Sequence, residues 1–493
     1  MNRYVLTVFL GWMMACSVPP EAGEPYVVED IATPEGLVSQ VGALEFLPDG
    51  KLVAAFTRGE IMTYDPAARR WELFAEGLHD PLGIHVVSND ELWVMQLPEL
   101  TRVKDTDGDG TADLYENITD AFGITGNYHE FNYGPERDSK GNFYIALNAS
   151  SSGGPMRKEV RGRVNPDGRD GETGNRQMYS TVPYRGWVMR LTDDGILHRF
   201  ASGFRSPNGL VVDDEDNLFV TDNQGDWVGT SPLFHVEEGK FYGHPASLVW
   251  TEGWSRGSPF HLPLDTLDSM RTRPAVCFPH GIIANSPTQP VFDRTRGKFG
   301  PFGGQLFVGE MNRERIVRVM LEKVNGKFQG ACIPFLDGLG LRKGNNRLAF
   351  APDGSLWVGQ NAHGWLGDVG IQRIVFAGRT PVDIHTMSLT SEGFKITFTQ
   401  PMQDTAATNP RNYQFSRYYY LYHSQYGSPQ QEVETIPVIA VTLSKDQRTV
   451  NLQLASLESG YIYELNLGDI PSKWKQPLRN KTICYTVNTL RTE

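Results

Sequence analysis

Hydrophobic and polar positions alternate in short bursts along most of this chain, and the bursts come in pairs. A strand-length apolar segment leads into a turn rich in Pro, Asp, Asn or Gly, and a second β-rich run follows. The copies are ALEFLPDGKLVAAF from Ala43, PLGIHVVSNDELWVMQ from Pro81 and HEFNYGPERDSKGNFYIAL from His129. Two more are PNGLVVDDEDNLFVTD from Pro207 and NRLAFAPDGSLWVGQ from Asn346. A sixth unit is implied by PHGIIANSP from Pro279 with GGQLFVGEMNRERIVRVM from Gly303. Sustained helical periodicity is absent. Six units of four short strands predict a six-bladed β-propeller over residues 27–378, with insertions at 149–185 and 226–275. Radial repetition hides the sheet edges and leaves a central channel lined by loops, which is where chemistry is expected.

The repeat phrase stops after Phe376. GFKITFTQPM, QRTVNLQLASL and YIYELNLGDI then alternate apolar and polar residues. Residues 379–493 are therefore predicted to form a small immunoglobulin-like β-sandwich. The fold class expected is all-β, a six-bladed β-propeller followed by that sandwich. The run Tyr418-Tyr419-Tyr420-Leu421-Tyr422 is expected to pack against the propeller, with a sugar-binding face as the alternative.

The N-terminus changes the cellular picture. MNR is followed by YVLTVFLGWMMA, an apolar run too short to span a bilayer as a stable helix. Met13-Met14-Ala15-Cys16 resembles a bacterial lipobox, with Met13 where Leu is usual. Residues 1–16 are read as a signal peptide ending at a lipidated Cys16, and residues 17–26 as a tether. The expectation is an exported lipoprotein, periplasmic or on the cell surface and anchored to the membrane by lipid, with plain secretion as the alternative. The net charge of −12 and the absence of a basic patch argue against a nucleic-acid partner. Beyond Cys16, the thiols are Cys277, Cys332 and Cys484. An oxidising compartment would permit a Cys277–Cys332 disulfide, which the sequence alone does not establish. No Cys-x-x-Cys-His haem motif and no zinc spacing occur.

One acidic segment carries metal chemistry. Residues 105–116 read DTDGDGTADLYE, which fits a twelve-residue EF-hand-type loop. Asp105, Asp107, Asp109, Asp113 and Glu116 supply side-chain oxygens, Thr111 its carbonyl, and Gly110 the sharp turn. Four Asp and one Glu so close repel one another unless a cation joins them. A calcium ion is expected there, as a structural staple in an inter-blade loop; the bland alternative is an acidic surface turn.

His129 opens one repeat unit and Arg205 immediately precedes another, so both are expected to face the channel. Around them the chain resembles the soluble glucose/sorbosone dehydrogenase propellers that use pyrroloquinoline quinone (PQQ). The resemblance covers roughly residues 35–376. It rests on His129 ahead of Gly134-Pro135-Glu136-Arg137, and on Arg205-Ser206-Pro207-Asn208-Gly209-Leu210. It implies that His129 is the general base while hydride moves to the quinone, and that Arg205 binds the cofactor or stabilises its developing charge. Asn208 falls in the matched phrase. Asp222 and Asn223 are implied as further cofactor or second-calcium contacts, and Arg342, Lys343 and Arg347 as the nearest substitutes for the group's other basic residues. Ser206 stands where the group has Asn, and its quinone-pairing Lys has no placed counterpart.

Three functions remain open from these residues. One is an extracytoplasmic PQQ-dependent oxidoreductase acting on a sugar or polyol, with an unidentified electron acceptor. The second is a non-catalytic carbohydrate-binding propeller lipoprotein. The third is a lyase or hydrolase using Tyr128, His129 and Arg205.

Overall fold

The computed structural model describes residues 23–157, 160–170 and 177–491. The expected signal peptide, Cys16 and most of the tether lie outside them. The described chain is mostly β-structure. Six antiparallel sheets, each with four strands in this part of the molecule, follow one another up to Phe376. The first comprises Val41–Phe46, Leu52–Phe56, Ile61–Asp65 and Arg70–Ala75. The second comprises Gly83–Val86, Glu91–Met95, Leu100–Lys104 and Leu114–Thr119. The third comprises Asn132–Arg137, Phe143–Leu147, Trp187–Leu191 and Leu197–Ser202. The fourth is built from Gly209–Val212, Leu218–Thr221, Ser231–Val236 and Val276–Phe278, and the fifth from Pro287–Phe292, Leu306–Glu310, Ile316–Val324 and Lys327–Phe335. The sixth takes Asn345–Phe350, Leu356–Gln360 and Gly370–Phe376 and borrows its outer strand, Tyr26–Ile31, from the chain's N-terminal side. Tyr26 pairs with Phe376 and Ile31 with Ile371, so the first and last ring strands are zipped together.

The first strands of consecutive sheets lie side by side, and that of the sixth lies beside that of the first, which closes a ring. The repeat phrase is strand, turn, strand within one sheet. In the first copy Gly50 donates to the Leu47 carbonyl (2.9 Å) in the left-handed region at φ 90°, the conformation glycine adopts at no steric cost. Both faces of a middle strand are covered. From Leu52–Phe56, Leu52, Ala54 and Phe56 pack on the sixth sheet, while Val53 and Ala55 pack on the second. That double burial is why these strands read as continuous apolar runs. Each fully buried Val, Leu or Phe contributes about 1.5–3 kcal/mol.

The C-terminal segment places two sheets face to face, but one of them is shared with the ring. Its strand Thr482–Val487 pairs with Lys327–Phe335, Cys332 opposite Cys484, so the fifth sheet runs on into the C-terminal strands as one eight-stranded sheet. A second four-stranded sheet faces it, and their shared core takes Met320, Val324, Ala331 and Ile333 from the ring. Alternation predicts each strand but not which neighbouring sheet edge it joins. The tyrosine run packs on the ring as expected. Tyr418 is buried against the fourth and fifth sheets, and the Tyr422 hydroxyl donates to the Gly243 carbonyl at 2.6 Å. Cys277, Cys332 and Cys484 are free thiols, so the Cys277–Cys332 disulfide is not formed; the Cys332 thiol points at the Cys277 and Cys484 carbonyls. No helix among the described residues is long and apolar enough to cross a membrane.

Candidate active site

Strand direction sorts the loops. Connections from a fourth strand to the next first strand share one rim with those from a second strand to a third. On that rim lies a cleft of about 500 Å³. His129, Arg205 and His280 enter it from connections between sheets, and Asn223, Asn312 and His363 from loops between second and third strands. The convergence expected of His129 and Arg205 is therefore present.

His129 is buried, and its Nδ1 lies 3.0 Å from the Ala149 carbonyl oxygen. A carbonyl only accepts, so Nδ1 carries the proton and Nε2 keeps its lone pair. Burial, with Arg205 adding to it, pushes the imidazole down to about 4. His129 is thus a neutral acceptor at physiological pH and a weaker base than a free imidazole. The rings of Tyr128, Phe131 and Trp365 stand 5.8, 5.7 and 6.2 Å from its centroid.

Arg205 is fixed by long-range partners. Its Nε donates to Asp226 Oδ1 at 2.8 Å, and its guanidinium carbon lies 5.4 Å from the Tyr426 ring centroid. Asp226 Oδ2 in turn takes the Met178 N–H (2.9 Å) and lies 3.0 Å from Nε2 of the fully buried His244. Burial works against the Asp226 carboxylate, but His244 and Arg205 outweigh it and hold the group well below the usual range. Gly225 makes room for this arrangement, since a Cβ there would sit 1.8 Å from Arg205 Nε. The nearby acidic residues Asp214 and Glu215 are occupied elsewhere, Asp214 with Arg294 and Glu215 with Lys323.

Other expected contacts fall differently. Asn208 and Asn223 line the cleft. Asp222 does not. Its carboxylate accepts the backbone N–H groups of Arg205, Ser206 and Asn223 at 2.7–2.8 Å and shapes the turn that carries Arg205. None of Arg342, Lys343 and Arg347 lines the cleft. Arg342 bonds Gln360 and faces Asp30, and the Lys343 side chain is exposed. Arg347 plugs the channel. It stands on an innermost strand, and its guanidinium donates to the carbonyls of Gly42 (2.7 Å), Leu82 (3.2 Å) and Asn208 (3.1 Å), from three other sheet entrances. Glycines at 42, 83, 134 and 209 let the inner strands approach closely: a Cβ at Gly42 would meet the Pro81 carbonyl, one at Gly83 the Gly134 carbonyl, one at Gly134 the Tyr144 carbonyl and one at Gly209 the Gln289 backbone.

The acidic loop lies on the opposite rim. It joins Leu100–Lys104 to Leu114–Thr119 within the second sheet, not one sheet to the next. Carboxylate oxygens of Asp105, Asp107 and Asp109 lie within 4.8 Å of one another. Asp113 instead holds Thr106, and Glu116, directly opposite Arg102 in register, is bonded to it at 3.1 Å. Three of the six expected ligand residues thus have their carboxylates together, and Thr111 N–H is bonded to Asp109.

His280, His363, Trp365 and Tyr426 are cleft residues that sequence reasoning did not assign. His280 occurs within PHGIIANSP, which marks a repeat unit, and Trp365 follows the repeat phrase NRLAFAPDGSLWVGQ. Burial, then Arg347 and His129, hold His363 down to about 3. Tyr426 comes from the C-terminal segment, and nothing local signals it.

Residues 26–248 match a family described as a domain of unknown function (DUF7133), less than half of the chain. No curated protein matches. Similar solved structures include a putative oxidoreductase (glucose dehydrogenase) from Thermus thermophilus. It is 19% identical over 71% of this chain and 100% of that one, with TM-score 0.48. The PQQ-bound aldose sugar dehydrogenase of Streptomyces coelicolor is 18% identical over 72% and 99%, with TM-score 0.43. A streptogramin B lyase is 11% identical over 71% and 99%, with TM-score 0.36. Likenesses this distant, spanning dehydrogenases and a lyase, select no reaction.

Proposed function

We propose that this protein is an exported oxidoreductase of the quinone-dependent type that oxidises a sugar or polyol in the rim cleft of a six-bladed β-propeller. One observation carries the reading. Among the described residues four aromatic side chains are more than a third exposed, and three of them, Tyr128 (52%), Trp365 (50%) and Tyr426 (56%), surround the cleft that holds the neutral His129. Exposed aromatic faces beside amide and hydroxyl groups suit a polyhydroxylated ligand, whose C–H faces stack while its hydroxyls hydrogen-bond. The amides are those of Asn208, Asn223, Gln224, Asn285 and Asn312, and the hydroxyls those of Ser151 and Ser286.

His129 Nε2 accepts the proton of the reacting hydroxyl, while the Nδ1–H bond to Ala149 holds the ring in that tautomer. Arg205, positioned by Asp226, places a positive charge in the same cleft. The donors fit one carboxylate and the carbonyl oxygens of a PQQ molecule: Arg205 would take the carboxylate, and Asn208, Asn223 and Gln224 the carbonyls. When bound, the quinone supplies the hydride-accepting chemistry. Calcium at Asp105, Asp107 and Asp109 would serve stability, on the rim away from the reaction. The N-terminal segment supports export and a lipid anchor at Cys16.

Reconstitution with PQQ and calcium, followed by dye-linked oxidation of aldoses and polyols, tests the proposal. Turnover that falls at least a hundredfold in His129→Gln supports it. Failure to bind PQQ at micromolar concentration overturns it.

A second reading has its own observation. Among the described residues lining the cleft, Arg205 is the one side chain with a permanent positive charge, whereas PQQ carries several carboxylates. Carbohydrate binding without redox chemistry accounts for that equally well, and sugar binding that persists unchanged in His129→Gln without any cofactor favours it.

A further inference from the structure

The cleft is not completed by the ring alone. The C-terminal segment sends a loop back across the fourth sheet, where it anneals to the stretch 225–229. Trp227 N–H donates to the His423 carbonyl at 3.0 Å, Gly427 N–H to the Gly225 carbonyl at 2.9 Å, and Ser428 N–H to the Gly229 carbonyl at 2.9 Å. Asp226 and Tyr426 face each other as a β-bridge. This seam is main chain on main chain, so it fixes the loop whatever the side chain at 426. Asp226 is also the residue that holds Arg205, so the loop is registered against the charged side of the cleft.

Tyr426 is left with little structural work. It is the most exposed aromatic side chain at the cleft, and its one ring contact is with the Arg205 guanidinium. On the other side Trp365 and Tyr128 pack around His129. Thus His129 and Arg205 each carry a solvent-facing aromatic platform, one contributed by the ring and one by the C-terminal segment. A tyrosine more than half in water, supported by a guanidinium and held by a pinned backbone, is preorganised to stack a ligand.

We propose that Tyr426 is a specificity-determining residue that selects a cyclic sugar over an open-chain polyol. A pyranose presents a flat, preformed C–H face to the ring, whereas an acyclic polyol has no fixed face to offer and would have to be ordered first. The inference rests on the sugar or polyol reading of the cleft and adds that the C-terminal segment supplies part of the substrate site.

The test is calorimetric binding of glucose and of sorbitol to the full mature chain, wild type, Tyr426→Ala and Tyr426→Phe, with no cofactor needed. Melting temperatures check that the backbone seam survives. The expected result is about tenfold weaker glucose binding in Tyr426→Ala, sorbitol binding within twofold of wild type, glucose binding restored in Tyr426→Phe, and an unchanged melting temperature. Equal loss for both ligands would mean that Tyr426 acts only through Arg205, and no loss for either would mean that it does not touch ligand; both overturn the inference while leaving the wider reading intact. A wild-type protein that binds neither glucose nor sorbitol overturns this inference, and the wider reading is then decided separately by PQQ binding and dye-linked oxidation.

Discussion

Arg205 and Asp226 form a buried ion pair, Nε to Oδ1 at 2.8 Å, at the base of the candidate cleft. The same carboxylate holds the Met178 N–H and His244, so one side chain ties together three loops. Removing one member of such a pair leaves an uncompensated buried charge. Asp226→Asn is expected to destabilise the protein by about 3 kcal/mol and to weaken ligand binding, read by denaturant unfolding and calorimetry on the same samples. Stability within about 0.5 kcal/mol of wild type would show that the pair does not hold the loops.

Gly225→Ala tests the same geometry from the other side. The new Cβ would overlap the Arg205 guanidinium, 1.8 Å from Nε and 2.0 Å from Cζ. The guanidinium must leave its seat, so the variant should lose binding of an anionic ligand or cofactor while its melting temperature falls by only a few degrees. Unchanged binding would place Arg205 outside the working site.

The histidines set a pH dependence. His129 is held down to about 4 and His363 to about 3, whereas an unfolded histidine titrates near 6.5. Between about pH 4 and 6.5 the unfolded chain therefore binds more protons than the folded one, and stability rises with pH across that window. The contribution is fully present above about pH 6.5 and is lost as pH falls towards 4. Urea unfolding at pH 7.5, 5.5 and 4.5 should show this slope, and His129→Gln should flatten part of it. An identical slope in the variant would contradict burial of a neutral His129.

The acidic loop makes a prediction that separates it from a standard EF-hand loop. Glu116 is bonded to Arg102 rather than turned to the three aspartates. Asp105→Asn should abolish a calcium-induced rise in melting temperature, whereas Glu116→Gln should leave at least half of it. A wild-type protein with no calorimetric calcium binding would remove the ion altogether.

How much of this was legible beforehand follows from the range of each interaction. The strand-turn-strand phrases, the glycine at the turn of ALEFLPDGKLVAAF and the doubly buried runs such as LVAAF are local patterns, and they specified the strands and their pairing into repeat units. Placing His129 and Arg205 at the entrance of a repeat unit was enough to bring them to one rim, because strand direction sorts the loops. The basic residues near 342–347 could not be sorted that way. Arg347 lies on an inner strand, where carbonyls from three other sheet entrances capture it, and Arg342 is drawn outward to Gln360 and Asp30. Asp226 meets Arg205 through a loop of the fourth sheet, 21 positions on, and Tyr426 reaches it only after the C-terminal strands have extended the fifth sheet. The sequence by itself determined the β-repeat architecture and two of the cleft's polar groups, since both follow from periodicity and position within a repeat. Only the tertiary structure decided which charges face the cleft, which are consumed as structural ties, and that the C-terminal segment furnishes one of its walls, because those outcomes depend on contacts between residues from about twenty to some three hundred positions apart.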